Sequence, residues 1–200
     1  TDREAASACL AEAAARDPER ALSPDDRARE VVRRIALVAR LAPDVGLPAE
    51  PWEWLVTWMP ELCVGCASFR ELQALKLGTI ITERLPWPQR QALAELAPVE
   101  MQVPSGRTLR LRYPATGHPV LAVKVQEVFG WAQVPAICGG RQPVVLHLLD
   151  PASRPLQVTS DLASFWDRTW SEVRKEMRSR YPKHRWPDDP RSATPSVRTT

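Results

Sequence analysis

The spacing of apolar residues changes once along this chain, near Pro98, and that change constrains its fold most strongly. Before Pro98, apolar residues recur every three or four positions, as at Val31, Ile35 and Val38, which is the period of a helix. After it, they alternate with polar residues, as at Val99, Met101 and Val103, which is the period of a strand. We therefore predict an α+β protein, with a helical region over residues 1–98 and a small, mainly antiparallel sheet in an α+β domain at residues 99–190.

Proline is the main source of turns between the predicted elements. The chain has 20 prolines and 8 glycines, and each proline fixes its own φ angle and lacks an N–H donor. Ser23 followed by Pro24 predicts the start of a helix that ends before Pro43 and carries Arg34 on its surface. A later helix is expected to end near Gly78.

The last predicted element is a long amphipathic helix from Asp161 to Arg180. Asp161 can cap its N-terminus, and large apolar residues follow at helical spacing. They are Leu162, Phe165, Trp166, Trp170, Val173 and Met177. Residues 191–200 are polar and interrupted by proline, so we predict a disordered tail there.

Charge is distributed unevenly along the sequence. Residues 1–100 contain 12 Lys/Arg and 16 Asp/Glu, whereas residues 101–200 contain 15 and 8. A basic half favours an anionic partner. No apolar run reaches the roughly 20 residues that a membrane-spanning helix needs, so we do not expect a membrane to be that partner.

The basic residues concentrate around the end of the predicted C-terminal helix. Between Arg168 and Arg191 there are eight Lys/Arg and four Asp/Glu. The candidate nucleic-acid-binding residues are Arg174, Lys175, Arg178, Arg180, Lys183, His184 and Arg185. Cations of this kind neutralise phosphates and release counterions, which gives salt-sensitive binding. The same pattern is consistent with a solvated helix face on which Glu172 and Glu176 pair with neighbouring arginines.

Two cysteines, Cys63 and Cys66, form a CxxC pair that suggests zinc or redox chemistry. A structural zinc site needs four ligands, and the sequence has no second CxxC and no paired histidine. A redox pair needs a preceding strand and a helix N-terminus that lowers a thiol pKa. The sequence supplies neither, so we expect two ordinary thiols and no metal, with a thiol or metal enzyme as an alternative. The small number of cysteines also predicts a reducing, cytoplasmic location.

The segment from residue 180 to residue 190 is the most distinctive motif of the chain. It reads Arg180-Tyr181-Pro182-Lys183-His184-Arg185-Trp186-Pro187-Asp188-Asp189-Pro190. Further motifs precede it in the order Leu85-Pro86-Trp87, Val103-Pro104-Ser105-Gly106, the run from Leu121 to Gly130, and Glu172-Val173-Arg174-Lys175-Glu176-Met177. Together they resemble the C-terminal region of HrpB, a family of bacterial DEAH-box ATP-dependent helicases, from about Ser68 to Pro190. Arg185 takes a place that is usually small or apolar in that family, which adds charge to an already basic segment.

The resemblance implies that these residues belong to an ATP-dependent helicase. It implies ATP and Mg²⁺ for the parent protein, nucleic acid as a partner with RNA preferred to DNA, and a RecA-like helicase core in the same chain. This chain has no G-x-x-x-x-G-K-[ST] phosphate loop and no Asp-Glu-Ala-His motif, so by itself we expect it to bind no cofactor and to catalyse no reaction. We interpret it as an accessory region that contacts nucleic acid or docks onto the helicase core. A protein-docking module for an acidic partner is the alternative.

Overall fold

The computed structural model describes residues 2–196, which divide into two compact units: unit 1 ends at Ala97 and unit 2 begins at Pro98. Unit 1 is helical, and unit 2 combines strands with a C-terminal helix. This arrangement confirms the predicted α+β class. No helix within residues 2–196 combines the length and hydropathy that crossing a membrane requires. Residues 197–200 of the predicted disordered tail lie outside the described residues.

Unit 1 consists of short helices around an apolar centre. Its helices are α1 (Asp2–Ala15), α2 (Pro18–Leu22), α3 (Asp26–Leu41), α4 (Pro51–Val56), α5 (Met59–Leu62), α6 (Phe69–Gln73), α7 (Leu77–Arg84) and α8 (Trp87–Leu96). Proline occupies one of the first two positions of several of them, where its missing N–H costs no helical hydrogen bond. Ile35, Val38, Leu55 and Ile81 are fully buried in the core.

The helix predicted to have Ser23 as its N-terminal cap begins two residues later than expected. The cap of α3 is Asp25, whose carboxylate accepts a hydrogen bond from the N–H of Ala28 at 2.7 Å. Ser23 instead ends α2 in the left-handed region, at φ 42°. Because the backbone leaves α2 in that conformation, Pro24 lies in the connection and Asp25 is the first residue able to cap α3.

Arg34 lies inside unit 1, although the sequence predicted it on the surface. The side chain of Arg34 is buried, and its Nε donates to the carbonyl of Ala97 at 2.6 Å. That carbonyl follows the C-terminus of α8, where a helix leaves unpaired acceptors and a negative dipole end. The guanidinium satisfies this acceptor, which explains how a charged residue can be buried here.

The prediction that a helix ends near Gly78 is also wrong. One short helix, α6, ends at Gln73, and Gly78 lies in the first turn of α7. A Cβ atom at Gly78 would lie 3.3 Å from the Cα of Ala28 in α3. Glycine therefore serves close packing between α3 and α7 rather than helix termination.

Unit 2 contains a five-stranded sheet with the strand order β1-β2-β3-β6-β7. Its strands are β1 (Glu100–Gln102), β2 (Thr108–Arg112), β3 (Val120–Lys124), β6 (Val145–Leu149) and β7 (Pro155–Thr159), and a separate pair is formed by β4 (Ala136–Ile137) and β5 (Gln142–Pro143). All neighbours are antiparallel except β3 and β6, so the sheet is mainly antiparallel, as predicted. Leu111, Leu121, Val123, Leu146 and Leu148 are buried on one side of it.

The C-terminal helix runs from Leu162 to Arg180 and matches the predicted element. It consists of α9 (Leu162–Ser164), a π-helical stretch at Phe165–Thr169, and α10 (Trp170–Arg180). Asp161 caps it, accepting from the N–H of Ser164 at 3.0 Å. The chain then continues as an irregular segment over residues 182–187, which we name the C-terminal loop.

Candidate nucleic-acid interface

A cluster of aromatic side chains attaches the C-terminal helix to the rest of unit 2. The rings of Trp166 and Trp170 are 5.3 Å apart and nearly perpendicular, and Phe129 lies 5.5 Å from Trp170. Trp186 of the C-terminal loop lies 6.3 Å from Trp170. Edge-to-face contacts of this kind add to the free energy gained by burying the rings.

Three side chains donate hydrogen bonds to backbone carbonyls in or beside the C-terminal loop. The indole N–H of Trp170 donates to Pro187 at 3.0 Å, and Arg174 Nε donates to Trp186 at 2.9 Å. The indole of Trp186 donates to the carbonyl of Tyr181 at 2.9 Å. The loop therefore has a defined position relative to α10, although it contains no regular secondary structure.

A buried carboxylate fixes the start of the same loop to the sheet. Asp150 follows β6 and accepts hydrogen bonds from the N–H of Arg154 at 2.9 Å, its Nε at 3.0 Å, and the hydroxyl of Tyr181 at 2.7 Å. Burial raises the pKa of Asp150, but the hydrogen bonds from the Arg154 N–H, the Tyr181 hydroxyl and the Arg154 guanidinium outweigh burial and hold that pKa below its ordinary value.

The lowered pKa of Asp150 predicts acid sensitivity. The carboxylate stabilises the fold above its unfolded-state pKa of about 3.9, and this contribution is lost as the pH falls through the lower folded-state pKa. We expect Asp150→Asn to be about 2 kcal/mol less stable than wild type at neutral pH, with a smaller difference at acidic pH. Urea unfolding of wild type and Asp150→Asn, at neutral pH and at a pH below the unfolded-state pKa of about 3.9, measures the two stability differences. Equal differences at the two pH values would contradict the prediction.

The described part of the C-terminal tail forms a wall beside the loop. The N–H of Gly130 donates to the carbonyl of Pro190 at 2.9 Å, and the N–H of Ser196 donates to Gln126 at 3.1 Å. Arg191 pairs with Asp167 of the C-terminal helix at 2.7 Å. Residues 191–196 contain no helix or strand, yet these contacts hold them against unit 2.

Between the tail, the loop and the end of α10 lies an open groove of about 880 Å³, which we name the basic groove. It is lined by Phe129, Arg178, Pro182, His184, Arg185, Trp186, Pro187, Ser192, Ala193 and Thr194. Its charged lining residues are arginines from two different elements, and none of these lining residues is acidic. Arg178 and Arg185 are both exposed. The groove can therefore attract an anion and contact it from two sides.

The structure separates the candidate binding residues into three groups. Arg178, His184 and Arg185 meet at the basic groove. Lys175 and Lys183 are exposed on α10 and on the C-terminal loop. The remaining two residues are engaged in ion pairs.

Those two arginines pair with acidic neighbours. Arg174 pairs with Asp188 in addition to its contact with the loop, and only 23% of its side chain is exposed. Arg180 pairs with Glu176 at 2.8 Å, one helical turn earlier, and both side chains are about half exposed. Arg174 therefore shapes the loop, while part of the charge of Arg180 is neutralised.

The sequence did not indicate the tail wall or the network around Asp150 as parts of this region. Ser192, Ala193 and Thr194 follow the end of the recognisable motif and have the composition of a disordered segment. Asp150 lies 31 residues before its partner Tyr181. The one available signal was the position of Asp150 directly after an apolar strand, because a carboxylate there needs a hydrogen-bond donor.

The CxxC pair belongs to unit 1, whereas the residues of the candidate interface belong to unit 2. Cys63 and Cys66 are both buried free thiols. Burial, followed by the neighbouring Cys66, raises the pKa of Cys63. A nucleophilic or metal-binding thiol needs a lowered pKa, so the burial of Cys63 and its raised pKa give the thiol-enzyme alternative no support.

ATP and Mg²⁺, which the helicase resemblance implies for the parent protein, do not fit the residues present here. The sequence has no phosphate loop, and within residues 2–196 no three His, Cys, Asp or Glu side chains cluster closely enough to hold a metal ion.

Comparison with known proteins identifies the family. The sequence model of the HrpB C-terminal family, described as ATP-dependent helicase C-terminal, matches residues 58–190. The chain belongs to this family. It is 41% identical over 176 residues to the ATP-dependent RNA helicase HrpB of Escherichia coli strain K12, covering 86% of this chain and 22% of that protein. The HrpB resemblance of the motifs is thus confirmed, and the chain spans about a fifth of the relative's length.

Solved structures support the same assignment to the HrpB C-terminal family. The crystal structure of the E. coli DExH-box NTPase HrpB matches with a TM-score of 0.78 and 39% identity, covering 88% of this chain and 22% of that one. A crystal structure of the E. coli DEAH/RHA helicase HrpB matches with a TM-score of 0.64 and 37% identity, covering 81% and 21%. The fold of this chain is therefore that of the corresponding part of HrpB.

Proposed function

We propose that this chain is an accessory C-terminal region of an ATP-dependent RNA helicase, and that its basic groove binds the phosphate backbone of single-stranded RNA. The observation that carries the proposal is the convergence of Arg178 and Arg185, from two elements, on one groove whose lining residues include no acid. The relative's description as an RNA helicase supports RNA over DNA.

The exposed lysines extend the basic surface beyond the groove. Lys175 lies on α10 three residues before Arg178, and Lys183 lies on the C-terminal loop two residues before Arg185. Each phosphate neutralised by such a cation releases a counterion, so affinity depends on the number of contacts and on salt. A positive groove that follows a backbone is a common way to hold single strands without sequence preference.

In this proposal the chemistry of ATP belongs to the part of the helicase outside these 200 residues. The chain contributes affinity for RNA and a fixed path for it, and catalyses nothing by itself. We also propose a cytoplasmic location, with which the four free cysteines are consistent.

The proposal is tested by fluorescence anisotropy of the isolated chain with single-stranded and double-stranded RNA and DNA of one sequence. We expect binding to single-stranded RNA at low salt that weakens steeply as salt is raised. Binding to duplexes is expected to be weaker. No binding at low salt, together with retained binding to the helicase core, would instead support the docking alternative.

A further inference from the structure

Unit 1 carries an apolar groove that RNA binding by unit 2 does not use. The groove has a volume of about 640 Å³ and lies between α1 and the region of α4 and α5. Its apolar walls include Ala8, Ala11, Ala15, Val56, Met59 and Val64. The side chain of Val64 is 75% exposed, so it adds to the apolar surface of the groove that solvent reaches.

Hydrogen bonds hold the two sides of this groove together. The guanidinium of Arg3 in α1 donates twice to the carbonyl of Gly65, at 2.7 and 3.1 Å. The hydroxyl of Ser7 donates to the carbonyl of Cys66 at 2.8 Å. The turn after α5 is therefore fixed to α1, so the groove is formed before any ligand arrives and binding need not order it.

The chemistry of the groove favours a protein ligand over nucleic acid. Its wall on α1 includes three alanines spaced at three and four residues, which leave room for the backbone of a partner helix. The same wall also carries Arg3, Glu4, Ser7 and Glu12, which can pair with polar residues beside the apolar face of that helix. The opposite wall offers branched and flexible apolar side chains, as in grooves that receive amphipathic helices. The first hundred residues contain more Asp/Glu than Lys/Arg, which disfavours a phosphate backbone.

We infer that this groove receives an amphipathic helix from the part of the helicase chain that lies outside these 200 residues. The inference rests on the proposed function, because it takes the chain to be one region of a helicase. The matched relative has nearly four-fifths of its length outside the aligned part, since the chain covers 22% of it. A covalently linked partner has a high effective concentration, so a groove of this size suffices to hold it.

Site-specific cross-linking in the full-length helicase tests this assignment. A photoreactive benzophenone amino acid is placed at position 8, which lines the groove, or at position 5, an exposed alanine of the same helix that does not line it. We expect position 8 to form an adduct with a peptide from outside these 200 residues, and position 5 to form none. Val64→Arg is expected to abolish the adduct from position 8 without unfolding the chain, because Val64 is exposed.

The result also separates docking from RNA binding. Val64→Arg is expected to leave the affinity for single-stranded RNA unchanged, since the basic groove belongs to unit 2. Three outcomes would each overturn the docking assignment. They are adducts confined to these 200 residues, adducts to a second copy of the protein, and equal adduct yields from positions 5 and 8. None of these outcomes affects the test of RNA binding by anisotropy.

Discussion

The Trp170→Ala variant is expected to lower the free energy of unfolding of unit 2 by about 4 kcal/mol, within the range for removing a large aromatic side chain from a core. Trp170 is only 2% exposed. Its ring contacts Phe129 and Trp166, and its indole N–H donates a hydrogen bond to the carbonyl of Pro187. The substitution therefore leaves a cavity and removes one of the bonds that position the C-terminal loop.

Urea unfolding of the isolated chain measures this effect, and Trp87→Ala provides a matched control. Trp87 is an exposed tryptophan of α8 in unit 1, so its removal is expected to change stability by less than about 0.5 kcal/mol. A loss below about 1 kcal/mol for Trp170→Ala would show that the aromatic cluster does not support the fold as described.

The second large effect is expected on RNA binding. Replacing both arginines of the basic groove, in the variant Arg178→Gln/Arg185→Gln, is expected to weaken binding to single-stranded RNA about 25-fold at about 0.1 M salt. Each contact with a phosphate of a single strand contributes about 0.7 to the dependence of log affinity on log salt concentration, and two contacts are removed. Glutamine retains most of the side-chain length, so the loss reports charge rather than packing.

The control for this variant removes two positive charges elsewhere. Arg16 and Arg40 are exposed arginines of unit 1, and Arg16→Gln/Arg40→Gln changes the net charge by the same amount. We expect it to weaken RNA binding less than twofold, because neither arginine lines the basic groove and exposed charges that make no phosphate contact are largely screened at this ionic strength. Equal losses for the two variants would mean that net charge, and not the groove, determines affinity.

The larger elements of unit 2 were predictable because one hydrophobic period dominates each of them. The apolar residues from Leu162 to Met177 recur at helical spacing, and the burial of Trp170 and Met177 follows from that pattern. Alternation at Val99, Met101 and Val103 likewise predicted the first strand, β1. Alternation does not distinguish parallel from antiparallel neighbours, so the parallel pairing of β3 with β6 was not predictable from it.

The errors in unit 1 concern residues whose environment is set by distant parts of the chain. Arg34 is buried because Ala97, 63 residues later, supplies an acceptor. Glycine occupies position 78, inside a helix, because the backbone of Ala28 approaches it too closely for a larger residue to fit easily. Local rules treat arginine as a surface residue and glycine as a helix end, and they contain no information about such contacts.

The candidate interface was predictable in composition but not in geometry. The clustering of cations near the end of the C-terminal helix is enough to indicate a basic surface. Charge alone does not say which side chains are engaged within the protein. Only the fold shows that Arg174 contacts Trp186 and Asp188, while Arg178 and Arg185 line a common groove.

The most direct test of RNA binding by the basic groove is the slope of log affinity against log salt concentration for single-stranded RNA. It is measured on the isolated chain for wild type and for Arg178→Gln/Arg185→Gln. If both arginines contact phosphates, the variant's slope is smaller in magnitude by about 1.4. Identical slopes for the two proteins would contradict phosphate contact by Arg178 and Arg185.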